Sequence, residues 1–262
     1  MAKTNPVTWF RRWREAARLR KGRIPEKQWR DVVAQLVIFQ HLTQSKRHRL
    51  RELASLFLQL KAISGAGGLV VTDQMRHQIA AQACLLILEL DLSYFDGWHE
   101  IILYPDPFVV RREVMDGAGL VSTDSQVLGG EAWDRGPVVL SWADARPGAH
   151  PHGACSNVVL HEFAHKLDML NGSANGMPPL HQHMQRETWT QVFSQAYARL
   201  QYTLEHHGHS QIDPYAVTNP AEFFAVVSET FFTCPEHLVR FDAELYAQLQ
   251  RFYQQDPLNQ QY

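Results

Sequence analysis

The sequence predicts an α+β fold that is mainly helical, with a small sheet placed ahead of one short, histidine-bearing helix. Three observations carry that prediction. Apolar residues recur three and four apart through the first quarter of the chain and again through almost all of its second half. Between these regions stand short β-branched or aromatic runs bounded by Pro, Gly or Asp, as strands are. No internal repeat and no long Pro/Ser/Gly-rich stretch divides the chain, so helices and strands are expected to share one body.

The elements follow in order. Pro25 to about Lys61 has helical spacing, first through Trp29, Val32, Val33, Leu36 and Phe39, then through Leu50, Leu53, Leu56 and Phe57. Gln78 to Leu90 continues in that vein. Ile101 to Tyr104, Phe108 to Val110 and Val138 to Trp142 read as strands. Helical spacing then returns in Val158 to Leu170, Arg186 to Leu204, Pro220 to Phe232 and Leu238 to Tyr253.

Composition excludes several classes. With 262 residues, 45% of them hydrophobic and 20% charged, the chain has the balance and length for an ordinary globular core. Thirteen Pro and fifteen Gly are too few for a collagen-like or low-complexity protein. The longest apolar runs, such as Ala83 to Leu88, break well before the roughly 18 residues of a membrane helix. The N-terminus lacks the apolar core of a secretion signal. Cys84, Cys155 and Cys234 are odd in number, scattered and without C-x-x-C spacing, which speaks against a disulfide framework or a thiolate metal site and for a reducing, cytoplasmic location.

The net charge of -2 conceals an asymmetry, because residues 1–51 hold 14 Lys/Arg against 3 Asp/Glu and the remainder holds 11 against 24. Trp9, Phe10, Trp13 and Ala17 recur at helical spacing among arginines, as in a basic amphipathic helix or a solvated arm. A basic N-terminal segment, 1–30, is therefore expected ahead of a single domain over 31–262. No reader motif accompanies the basic head, so direct nucleic-acid binding is not expected.

His161-Glu162-Phe163-Ala164-His165 is the one short pattern with a reaction attached. Residues four apart on a helix lie one turn along the same face, so both imidazoles can reach one zinc ion. Glu162 emerges beside them as a general base for water. With 14 His and 14 Glu in the chain, this pattern is expected by chance only about 0.04 times. Val158, Val159, Leu160, Phe163, Ala164 and Leu167 supply the buried faces of the helix, Ser156 or Asn157 can cap its start, and Asn171-Gly172 ends it.

A catalytic zinc takes three protein ligands, so a third is needed. The candidates are Asp168, Glu222, Glu229 and the histidines of the loops, His150/His152, His181/His183 and His206/His207/His209. Asp168 is better placed to hold an imidazole N–H than to reach the metal. Glu222 and Glu229, seven apart after a cap at Asn219, put two carboxylates on one face of an otherwise apolar helix, where each needs a partner. Zinc for Glu222 and a ligand histidine for Glu229 would satisfy both. His99, ahead of a strand, reads as packed.

The chain resembles the Mlc titration factor A proteins, bacterial zinc peptidases with a core similar to the anthrax lethal factor protease domain. The resemblance rests on His161 to Asp168 with Asn171-Gly172, on Asn219-Pro220-Ala221-Glu222 running into Phe224-Ala225-Val226 and Ser228-Glu229, and on Phe252-Tyr253-Gln254-Gln255-Asp256-Pro257-Leu258. It implies a zincin-like metallopeptidase fold with one Zn2+ per chain held by His161, His165 and Glu222. It implies Glu162 as general base and Tyr215 as the phenol that meets the transition-state oxyanion.

The same resemblance implies aminopeptidase-like action on peptides, binding to the glucose repressor Mlc and modulation of the glucose phosphotransferase system. The competing expectations are a regulator-titrating protein in which peptidase activity is secondary, and a zinc hydrolase of other substrates. The strand Val138 to Trp142 is expected to be the edge that pairs with an extended peptide.

Overall fold

A computed structural model describes residues 18–19, 22–115, 121–128, 130–133, 136–149 and 155–259. The amphipathic pattern at Trp9 to Ala17 and the pair His150/His152 lie outside these residues.

After the helical residues 18–19 and 22 come two helices, α1 (Glu26–Gln35) and α2 (Gln44–Leu60). Thr43 caps α2 by accepting the Lys46 N–H at 3.3 Å, leaving one fewer orphan donor in its first turn. Leu50, Leu53, Leu56 and Phe57 form its buried face, as their spacing predicts, and Ile24, Trp29 and Val32 join the same core. Strand β1 (Ala62–Gly65) follows, then α3 (Asp73–Leu86), which packs on α2.

Five more strands come next: β2 (Glu100–Tyr104), β3 (Phe108–Met115), β4 (Val121–Leu128), β5 (Gly130–Ala132) and β6 (Val138–Ser141). The main sheet has the order β1-β2-β6-β5, with β1, β2 and β6 parallel and β5 antiparallel to β6. β3 and β4 form a separate antiparallel hairpin registered from Phe108↔Leu128 to Met115↔Val121. β6 is therefore an interior strand, flanked on both sides, and cannot offer the free edge expected of it. That edge belongs to β5. All four residues of β6 are buried, which is why an interior strand and a buried edge read alike in sequence.

A short helix α4 (Trp142–Ala145) ends this region, so Trp142 starts a helix rather than closing the strand. The second half is helical: α5 (Val158–Asp168), α6 (Arg186–His207), α7 (Pro220–Thr233), α8 (Pro235–Phe241) and α9 (Ala243–Tyr253). Leu238 to Tyr253 is thus two helices. Asp242 breaks it by accepting the N–H groups of Glu244 and Leu245, each at 3.0 Å, and so capping α9.

α5 lies at the centre, packed on α7 and α3, with β5 and β6 beside it. Phe163 on α5 meets Phe57, Phe95 and Trp98 with ring centroids 5.3–5.8 Å apart. Lys61 and Lys166, both buried, approach the Trp98 ring at 3.9 and 5.2 Å and donate to backbone carbonyls. His99, expected to pack, is exposed, while its neighbour Trp98 is buried.

The expectation about cysteines is overturned: Cys155 and Cys234, 79 residues apart, form a disulfide, and Cys84 is free and buried. Their separation in sequence hides their meeting. Cys155 lies just ahead of α5, Cys234 ends α7, and those helices pack together.

Candidate metal centre and catalytic cleft

Two caps set the two helices that build the site. Asn157 accepts the Leu160 N–H at 3.0 Å and starts α5 four residues ahead of His161. Asn219 accepts the N–H groups of Ala221 and Glu222 at 2.9 and 3.0 Å, with Pro220 as the first residue of α7, so Glu222 sits in its first turn.

The helices bring three donor atoms together. His161 Nε2 is 3.0 Å from Glu222 Oε2, His165 Nε2 is 3.2 Å from the same oxygen, and the two imidazole nitrogens are 3.2 Å apart. Ligands at zinc distances around a tetrahedral ion stand about 3.3 Å from one another. The triangle therefore has the size and the donor types of a His2Glu site.

Burial opposes charge on His161, but hydrogen bonds to Glu222 and Glu229 outweigh it and hold its pKa well above the ordinary value. Burial likewise works to raise Glu222, and hydrogen bonds from His161 and His165 override it, so its carboxyl stays well below the usual range. Glu162 differs: burial raises its pKa, against the opposing influence of the two histidines. That is the direction expected of a general base in a dry pocket.

Glu229, one face-repeat along α7 from Glu222, turns one oxygen to the Asn157 N–H and the other to His161 Nδ1 at 3.4 Å. Asp168 is fully buried, and its Oδ2 accepts the N–H groups of Asn175 and Gly176 at 2.8 and 2.7 Å. Its Oδ1, like His165 Nδ1, is buried without a hydrogen-bond partner among the described residues. Tyr215 lies on a short 3-10 helix, Pro214–Val217, packed on α7, with its ring centroid 6.1 Å from that of His161 and 40% of its surface exposed.

Among the described residues, the loop histidines do not join the triangle. His181 Nε2 bonds the Phe252 carbonyl at 2.7 Å, His206 Nδ1 bonds the Tyr202 carbonyl at 2.9 Å, and His209 Nδ1 bonds that of His207 at 2.9 Å.

The triangle opens into a cleft of about 820 Å³ that contains Glu162, Tyr215 and β5. Glu131, Asp144 and Asp213 add carboxylates to its wall, and no Lys or Arg lines it among the described residues.

Three contributors escaped the sequence reading. Gly130 on β5 passes so close to Glu162 that a Cβ there would fall 2.5 Å from Glu162 Cγ. Lys166 Nζ donates to the carbonyls of Trp133 and Gly136 at 2.5 and 2.9 Å, tying the β5–β6 connection to α5. Gly176, at φ 82°, stands where a Cβ would meet the Pro220 carbonyl at 2.6 Å, so the segment held by Asp168 packs on the start of α7. Gly130 opens a strand of only three residues, too short to be read from sequence, and the other two carry no local signal.

The model of the glucose-regulated metallo-peptidase M90 family matches residues 10–254. The chain is 41% identical over 234 residues to Mlc titration factor A of Serratia proteamaculans, covering 88% of each protein. It is 39% identical over 236 residues to Mlc titration factor A of Klebsiella pneumoniae, covering 89% of this chain and 88% of the relative. An uncharacterized protein of Synechocystis is 37% identical over 248 residues, covering 94% of this chain and 90% of the relative. The chain belongs to the M90 metallopeptidases, the family of the Mlc titration factor A proteins.

Proposed function

We propose that this metallopeptidase is a zinc enzyme of aminopeptidase-like action, cytoplasmic, with one Zn2+ per chain held by His161, His165 and Glu222. The observation that carries the reading is the convergence of those three donors beside a buried Glu162. A zinc ion there supplies Lewis-acid activation of water and carbonyl.

The chain's own groups do the rest. Glu162 takes the proton of the attacking water and passes it to the leaving amine. Tyr215 donates its phenol hydrogen to the oxyanion. Glu229 orients His161 through Nδ1, and Asp168 holds the segment against which α7 begins. The peptide lies along β5, whose outer edge borders the cleft. The acidic wall favours a substrate with a positive charge, as a free N-terminal ammonium provides.

The names of the Serratia and Klebsiella relatives support a second role, binding of Mlc, and we propose modulation of the glucose phosphotransferase system as its consequence. Glu162→Gln separates the two roles. Peptide hydrolysis is expected to fall by at least about a hundredfold with zinc and Mlc binding retained. Hydrolysis that persists in this variant removes the peptidase mechanism.

A further inference from the structure

The Cys155–Cys234 disulfide sits where the two helices of the metal centre meet. Cys155 lies two residues ahead of Asn157, the cap of α5, and Cys234 ends α7. Thr233 Oγ1, beside the bridge, donates to the carbonyls of Cys155 and Glu229 at 3.1 and 2.8 Å. Glu229 in turn accepts the Asn157 N–H and faces His161 Nδ1. A continuous set of contacts thus runs from the disulfide to the first histidine of the triangle.

A third group aims at the sulfurs. His237 Nδ1 is 3.2 Å from Cys155 Sγ, and it and both sulfurs lie within 4.8 Å of one another. Cys155 is partly exposed and Cys234 is buried, so an incoming thiolate reaches Cys155 first. A disulfide in a reducing compartment is characteristically a transient or redox-sensing one.

We propose that Cys155–Cys234 is a thiol–disulfide exchange site whose reaction partner is a dithiol, and that its redox state sets the metal affinity of the adjacent centre. This rests on the zinc and cytoplasmic readings above. A thiolate of the dithiol attacks Cys155 Sγ, the S–S bond breaks, and Cys234 leaves as a thiolate and takes a proton. The second thiolate of the dithiol attacks the mixed disulfide and departs as the cyclic disulfide, releasing Cys155, whose thiolate His237 stabilises and protonates. Two electrons pass to the protein and two thiols result. In the reverse direction, with an oxidised dithiol, His237 takes the proton of Cys155. The reduced form loses the covalent tie between the start of α5 and the end of α7, which loosens Asn157, Glu229 and His161 together.

The test uses the full chain in both redox states. Protein oxidised by trans-4,5-dihydroxy-1,2-dithiane should titrate with one thiol after denaturation, Cys84, and protein reduced by dithiothreitol under native conditions with all three. Competition with a chromogenic chelator should show zinc held at least about tenfold more weakly in the reduced form. The Cys155→Ser/Cys234→Ser double variant should match the reduced form in any redox buffer. His237→Ala should slow reduction about tenfold while leaving the zinc affinity of the oxidised form unchanged. A bridge that dithiothreitol opens only in denaturant, or equal zinc affinities in the two states, overturns the proposal. Absence of zinc from both states overturns the metal-centre reading, and the proposal with it.

Discussion

Gly130 lies against Glu162 so closely that a methyl group on its α-carbon would stand 2.7 Å from the glutamate's Oε1. The edge strand and Glu162 therefore share one space, and the position of the glutamate depends on the absence of a side chain. Gly130→Ala must push Glu162 aside. The expected result is a drop in kcat/KM of about 10–100-fold with zinc content unchanged. Full activity in this variant would show that Glu162 has room to move.

Glu229 Oε2 stands 3.4 Å from His161 Nδ1. Glu229→Gln keeps an acceptor for the Asn157 N–H but removes the charge that faces Nδ1. Zinc affinity should weaken about 10–100-fold, measured by chelator competition, while the helix content seen by circular dichroism is unchanged. An unaltered affinity would deny Glu229 this role.

Lys166, buried on α5, satisfies two carbonyls of the β5–β6 connection. Lys166→Met leaves both without their donor. Urea unfolding should show a loss of about 1–3 kcal/mol, and a variant as stable as the parent would mean that water replaces the ammonium there.

Lys61 provides a stability signal remote from the site. Burial is the main cause that lowers its pKa from 10.5 to about 8, with Lys166 adding to the fall and Asp96 opposing it. Between those two values the unfolded chain retains a proton that the folded chain has released, so raising the pH favours the fold. The urea midpoint of the wild type should rise between about pH 8 and about pH 10.5 relative to that of Lys61→Met. Parallel midpoints across this range would contradict the depressed pKa.

Much of this arrangement was legible from residues alone because local rules dominate where it was legible. The helices of His161 and Glu222 are set by caps and Pro, by 3.6-residue spacing and by apolar flanks, all of which act within a few residues. What escaped the reading was decided by tertiary contact. β6 and a true edge strand have the same short apolar pattern, and only the pairing with both β2 and β5 distinguishes them. β1 and β5, four and three residues long, are too brief for any period to register. The Cys155–Cys234 bridge joins positions 79 residues apart, and no spacing rule sees that approach. From its place on the helix Asp168 is expected to hold an imidazole N–H; the N–H groups it accepts are those of Asn175 and Gly176, in a loop without periodicity.

The central claim is that His161, His165 and Glu222 together hold one catalytic zinc, and Glu222→Ala tests it most directly. Zinc content of the purified wild type and variant would be measured alongside hydrolysis of aminoacyl and N-terminally blocked peptides. The expected result is one zinc per wild-type chain, with metal and turnover lost together in Glu222→Ala and the free-amine peptides preferred by the wild type. Stoichiometric zinc retained in Glu222→Ala would contradict the assignment of the third ligand.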